Sequence, residues 1–264
     1  MAMHPARTME QAAAAVLEAG ELIRRAWARP KEVRYKGRID LVTATDLAVE
    51  ELLKERLAAL VPGSTFLAEE TSAQAGLAAS TWIIDPLDGT TNFAHGLPFV
   101  ATSVALWQDG DLLLGLINLP VLGELFTAVR GQGARRNGEP IAVSGTAAVQ
   151  EALIATGFPY NTRKYLDGIL DHLERMLLET QGVRRPGAAA LDLAYVACGR
   201  FDGFYENALN PWDTAAGVLL VEEAGGRVSG FDASRPYVLG ADEILASNGL
   251  LHEDLSRLLL EPGA

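Results

Sequence analysis

The chain has 264 residues, 49% of them hydrophobic, and a formal net charge of −12, which is enough for one large domain or two closely packed ones with ample core. Such acidity argues against nucleic-acid binding by bulk electrostatics and repels anionic substrates, so a phosphate site here needs bound divalent cations as its positive charge. One cysteine, Cys198, excludes an internal disulfide; with no signal-peptide pattern and no run near the ~20 apolar residues of a membrane span, a cytoplasmic protein is expected.

In chain order, Thr8-Met9-Glu10-Gln11 reads as a capping box opening a helix that runs to about Ala28, where Pro30 stops it. A polar, turn-rich segment at 36–43 leads to a second helix over 44–60, with Leu47, Leu52, Leu53, Leu57 and Leu60 as its apolar stripe. A strand at 65–68 ends in Glu69-Glu70. Trp82-Ile83-Ile84 reads as a buried strand that delivers Asp85 and Asp88 around Pro86, where it is expected to end because proline removes a backbone donor. From 99 to about 143 an antiparallel meander is expected, with strands at 100–107, 112–118, 125–129 and 141–143. Asn137-Gly138 is its hairpin turn, so the glycines of 131–138 do not form a dinucleotide loop. The second part alternates: strand 153–156, helices 163–180 and 188–199, strand 203–206, helix 213–224 and strand 243–247, an α/β layer with parallel character. The change of pattern near Ser144-Gly145-Thr146 divides the chain into halves at 1–145 and 146–264.

The segment 82–93 carries the most chemistry. Two carboxylates spaced i, i+3, with the Leu87 carbonyl between them, suit a hard cation of the Mg²⁺ type. Gly89-Thr90-Thr91 then opens a short helix whose free N–H groups can face an anion. The same Asp-Pro-x-Asp-Gly string is also good turn chemistry. What separates the two readings is whether distant residues complete a ligand set. Glu69, 16 residues before Asp85, is one candidate. Asp213, in Asn210-Pro-Trp-Asp-Thr-Ala-Ala-Gly217, is another, although it reads equally as a plain helix N-cap. Ala215-Ala216-Gly217 allows another element to approach closely. Cys198, in an apolar helix-like stretch, reads as a structural thiol. The four histidines show no zinc spacing. Glu70 is left open between supporting the site and lying exposed, and Arg184-Arg185 between contacting an anion and lying at a subunit contact, with a lean towards packing or an interface.

Asp85-Pro-Leu-Asp-Gly-Thr-Thr-Asn-Phe93 and Pro211-Trp-Asp-Thr-Ala-Ala-Gly217 resemble the two signatures of the inositol monophosphatase family. The similarity runs from Lys36 to Ser247 and includes Asp40-Leu-Val-Thr-Ala-Thr-Asp46 and Gly187-Ala-Ala-Ala-Leu-Asp192. It implies an α+β fold, a layered αβαβα sandwich with its site where the two halves meet. It implies Mg²⁺, two or three ions per site: Glu69, Asp85 and the Leu87 carbonyl for the first, Asp85, Asp88 and Asp213 for the second, with Glu69 sharing a weaker third. Thr90 and Asp46 would orient and deprotonate the attacking water, and the backbone of Gly89 and Thr90 would receive the phosphate. Ala189 and Glu206 would line the hydroxyls of the alcohol, and Lys36 would sit on a mobile loop at the site. A homodimer and inhibition by Li⁺ are also implied. The expected activity is hydrolysis of inositol monophosphate or a similar polyol phosphate. Runners-up are histidinol phosphate, whose amine suits acidic surroundings, fructose 1,6-bisphosphate and phosphoadenosine phosphate. A non-catalytic protein-binding role would be additional, since the ligand set is complete.

Overall fold

The first helix, α1 (Pro5–Trp27), starts before the expected capping box in the computed structural model, which describes residues 4–29, 33–35 and 41–261. Pro5 takes the first helical position, where a missing N–H is harmless, and the Thr8 hydroxyl donates back to the His4 carbonyl at 3.2 Å. A short antiparallel pair, β1 (Val33–Tyr35) and β2 (Leu41–Thr43), leads into α2 (Ala44–Leu60). The buried face of α2 is Asp46, Val49, Glu50, Leu53 and Leu57, while Leu47 is exposed. The expected stripe was rotated because two carboxylates occupy positions on the buried face that a pattern reading assigns to solvent.

Next come β3 (Thr65–Ala68), β4 (Ser80–Asp88), α3 (Thr90–His95), β5 (Ala101–Gln108), β6 (Asp111–Leu119), β7 (Glu124–Val129), β8 (Ala134–Arg136) and β9 (Glu139–Pro140). These strands form one sheet in sequence order, with β3 parallel to β4 and the rest antiparallel. Asn137 and Gly138 have φ of 50° and 86°, as a tight hairpin requires. Residues 141–143 are not a strand; the Val143 N–H donates instead to the Ala224 carbonyl at 3.1 Å.

The second sheet is built from β10 (Leu153–Thr156), then, after α4 (Thr162–Glu179), β11 (Gly182–Arg184), and, after α5 (Ala189–Ala197), β12 (Gly203–Asn207). α6 (Pro211–Glu223), β13 (Arg227–Ser229), β14 (Glu243–Ser247) and α7 (His252–Leu260) complete it. Its order is β11-β10-β12-β14-β13. β10 is parallel to both neighbours and β14 antiparallel to both, so the expected parallel character holds for one side only.

Three apolar clusters define five layers. Val16, Leu53, Trp82, Ile84 and Leu114 join α1 and α2 to one face of the first sheet. Ile83, Ile117, Leu193, Leu219, Phe204 and Ala246 fill the middle, where α5 and α6 lie between the sheets. Ile154, Met176, Tyr205 and Leu255 seal the second sheet against α4 and α7. Along β4 the alternation is explicit: Trp82 and Ile84 serve one cluster and Ile83 the other. A strand buried on both faces reads as a continuous apolar run, as this one does. The fold is the αβαβα sandwich.

Small residues bring α6 close on two sides. A Cβ on Gly217 would lie 2.5 Å from the Leu193 Cβ of α5, and one on Gly115 would lie 2.9 Å from the Ala216 carbonyl oxygen. Gly217→Ala is therefore expected to destabilise the fold by roughly 1–3 kcal/mol, the usual scale of overpacking. Urea unfolding measures it, and an unchanged midpoint would mean that α5 and α6 have slack between them.

Candidate active site

Glu69, Asp85, Leu87, Asp88, Gly89, Thr90, Ala189, Glu206 and Asp213 all line one cavity of about 400 Å³ between the two sheets. Asp46 lies behind Thr90, and Lys36 falls outside the described residues.

β4 does not stop at Pro86. Asp85 pairs with Ser103 and Asp88 with Ala101, so Pro86 and Leu87 together face Thr102 in a bulge. A proline fits there because the bulged position needs no ladder donor. Its carbonyl accepts from the Thr102 hydroxyl at 3.0 Å, and the Leu87 N–H donates to Asp85 Oδ1 at 3.0 Å. The bulge redirects the strand end so that Asp85 and Asp88 both reach the cavity. The Leu87 carbonyl, expected to be free, accepts from the Thr90 hydroxyl at 3.1 Å. A carbonyl has a second lone pair, so its capacity as a ligand is retained. Gly89 has φ of +83°, and a Cβ there would lie 2.7 Å from the Phe99 carbonyl oxygen. Only glycine makes this turn into α3.

Two other carboxylates come from capping boxes. Asp46 is the third residue of α2: its Oδ2 accepts the Thr43 N–H at 2.9 Å and the Thr43 hydroxyl, while Oδ1 accepts from the Thr90 hydroxyl at 3.2 Å. The reach expected between residues 46 and 90 is thus present. Asp213 is the third residue of α6 rather than its N-cap, which is Asn210; its Oδ2 accepts the Asn210 N–H at 2.7 Å. The Ser103 hydroxyl donates to the Trp212 carbonyl at 3.1 Å, tying this helix start to β5 beside the bulge. Asp88 reaches across the middle layer, its Oδ2 accepting the Ala190 N–H of α5 at 2.8 Å.

Burial raises the carboxyls of Asp46, Asp85, Asp88, Glu206 and Asp213 above the usual range. Asp85 is raised well above the usual range, by burial and then by Glu69, Asp88, Asp213 and Asp46. Asp88 and Asp213 are pushed up to about 7. Glu206 is raised by burial and by Asp213 and Asp88. Among the described lining residues only Arg185 is cationic. Buried charge of one sign needs a partner, and a hard divalent cation is the partner that oxygen donors suit. Among the described residues no three acidic side chains converge tightly enough to ligate one ion as they stand. The donor set therefore fits by chemistry and burial.

Several contributors escaped the sequence reading. Glu50 is buried and accepts the Glu70 N–H at 2.8 Å and the Thr71 hydroxyl, which fixes the chain just after Glu69. Glu70 therefore has a supporting backbone role. Arg185 stands at the cavity with its guanidinium 5.3 Å from the Phe158 ring centre. Asp192 is buried with both carboxylate oxygens unpartnered, its carboxyl raised well above the usual range by burial and then by Glu206 and Asp88. No residue spacing announces these roles. His95 is exposed, His252 is held between the Ser229 and Ser247 hydroxyls, and Cys198 is half-buried.

Thr102→Val keeps the shape of a fully buried side chain but leaves the Pro86 carbonyl without its donor. The expected cost is about 1–3 kcal/mol, measured by chemical unfolding. No loss would show that the bulge is held by the strand ladder alone.

The pattern of the inositol monophosphatase family matches residues 4–261. An inositol-1-monophosphatase of Synechocystis sp. is 44% identical over 95% of this chain and 88% of its own. The Nus factor SuhB of Escherichia coli is 41% identical over 93% and 92%. The solved inositol monophosphatase of Anabaena superposes with a TM-score of 0.86 at 40% identity, covering 96% of this chain and 94% of that one. With its two signature segments brought to one cavity, the chain belongs to the inositol monophosphatase family and is a phosphoric monoester hydrolase.

Proposed function

We propose that the chain is a cytoplasmic, homodimeric, Mg²⁺-dependent phosphatase that hydrolyses inositol monophosphate or a similar polyol phosphate to the alcohol and phosphate. The observation that carries this is the set of carboxylates at one cavity, with Arg185 as the one cationic residue among the described lining residues. Glu69, Asp85, the Leu87 carbonyl, Asp88 and Asp213 would hold two or three Mg²⁺. When bound, these ions supply positive charge for the phosphate and acidify water. Thr90, its hydroxyl shared between Asp46 and the Leu87 carbonyl, orients the attacking water. Asp46 takes up the proton, a task suited to a carboxyl raised by burial. The backbone of Gly89 and Thr90 receives the phosphate, and Ala189 and Glu206 face the alcohol.

A second reading, an amino-alcohol ester such as histidinol phosphate, has one observation in its favour: Glu206 and Asp192 lie near each other at the alcohol end. Phosphate release from inositol 1-phosphate, histidinol phosphate, fructose 1,6-bisphosphate and phosphoadenosine phosphate, with Mg²⁺ or with chelator, separates these. Turnover of the first, lost on chelation and inhibited by Li⁺, is expected; no Mg²⁺-dependent turnover of any ester would end the reading. In Asp88→Asn the amide oxygen can still accept the Ala190 N–H, so the fold should persist by circular dichroism. Activity should fall at least about a hundredfold, the scale of losing one electrostatic group in a site. Near-normal turnover would refute the role of Asp88.

The homodimer is supported by α4, which leaves Leu166, Leu170 and Leu177 exposed along one stripe. Sedimentation equilibrium should give twice the chain mass, and Leu170→Glu should shift it towards the single chain.

A further inference from the structure

Glu206 is the fourth residue of β12, and Gly157 directly follows the last residue of β10. The two strands are parallel, with Thr156 opposite Tyr205, so Gly157 comes beside Glu206. A Cβ built on Gly157 would overlap the carboxylate carbon and both carboxylate oxygens of Glu206. The carboxylate therefore rests on the bare Cα. Gly157 is not among the glycines with positive φ, so its backbone conformation is open to any residue. What requires glycine here is the space that the Glu206 side chain fills. Both residues line the same cavity as Thr90 and the bulge.

From this geometry we infer that Gly157 is a positioning residue: it seats the Glu206 carboxylate and thereby sets which alcohols the cavity accepts. The inference rests on the reading of Glu206 as the contact for the alcohol. A methyl group at 157 would drive the carboxylate off its seat. Asp192, buried and without a hydrogen-bond partner, repels it electrostatically. The remaining direction is the cavity, where the carboxylate would take up room meant for a hydroxylated alcohol. The phosphate end has its own supports: Asp85, Asp88 and Thr90 are set by β4 and α3, and the three atoms nearest a Cβ on Gly157 all belong to Glu206.

Two measurements on the full chain test this. Gly157→Ala should lower the ratio of kcat/KM for inositol 1-phosphate over phenyl phosphate about tenfold, the scale on which one misplaced contact discriminates substrates, mainly through KM. Phenyl phosphate carries no hydroxyl on its alcohol and so serves as the reference. Shortening the displaced side chain should relieve the clash, so Gly157→Ala/Glu206→Asp should recover part of the ratio. Independently of activity, thermal unfolding of the four members of this cycle should show coupling: the double variant melts higher than the two single losses would add to. A chain carrying Gly157→Ala that folds only together with Glu206→Asp supports the seat, and one that stays unfolded with it overturns the seat. Equal losses on both esters, or strictly additive unfolding penalties, also overturn it. If the unaltered chain hydrolyses neither ester, the proposed substrate reading fails, while the unfolding cycle still decides whether Gly157 seats Glu206.

Discussion

The structure depends on gathering carboxylates of one sign in a place where burial leaves them poorly screened by water. Asp85, Asp88, Asp213 and Glu206 sit at the junction of the two sheets, and burial with mutual repulsion raises all four carboxyls. Left alone, such a group would prefer to bind protons or to open. Its protein partners are backbone N–H groups: Ala190 donates to Asp88, Leu87 to Asp85 and Asn210 to Asp213. Each of these bonds favours the charged form of its acceptor, and together they hold the side chains in place without neutralising them. The net negative charge that remains is what a cation would answer. Binding and positioning are therefore supplied by different groups.

The same bonds also organise the fold. Asp88 lies at the end of the first sheet, yet its Oδ2 accepts from the first turn of α5, in the layer between the sheets. Asp213 closes the box that starts α6. Asp46 does so for α2 and reaches Thr90 as well. A capping carboxylate must sit at a helix N-terminus, where the helix dipole favours negative charge. The starts of α2 and α6 thus bring their own acidic residues to the site as a consequence of ordinary capping, while the start of α5 receives Asp88 from β4. The bulge at Pro86 contributes the fourth element, by turning the end of β4 towards these helix starts.

Much of this was legible in the sequence, for identifiable reasons. β3, α2, the hairpin at Asn137-Gly138 and the central strands carry strong local signals, and each lies where expected. The site residues came from two contiguous segments around Asp85 and Asp213, and the cavity unites them with Glu69 and Glu206. The misreadings share a cause. Pro86 looked like a strand terminator because a bulge depends on the neighbouring strand, where Thr102 completes it. The α2 stripe was misplaced because buried Asp46 and Glu50 look like surface residues until their partners at 43, 70 and 90 are known. β11, β13 and α7 were unexpected because the two strands have three residues each and the helix nine, too short for periodicity to stand out. Local pattern carries the elements; the polar contacts between them are tertiary.

This division also explains why the reaction class was easier to read than the substrate. On the proposed reading, the phosphate end is built from residues close together in sequence, Asp85 to Thr90, joined by helix-capping acids whose chemistry constrains their type. The proposed alcohol end is assembled from the end of β10, the end of β12 and the approach to α5, with Gly157, Glu206 and Arg185 lining one cavity from separate stretches. A glycine that matters because a distant carboxylate lies on it leaves no local signature, and neither does an arginine stacked at a rim. Phosphate presents the same tetrahedral anion in every ester, so one arrangement serves all substrates. The alcohol varies in size, hydroxyl pattern and charge, so its recognition falls to contacts between elements, where one methyl group at position 157 can change the shape of the pocket.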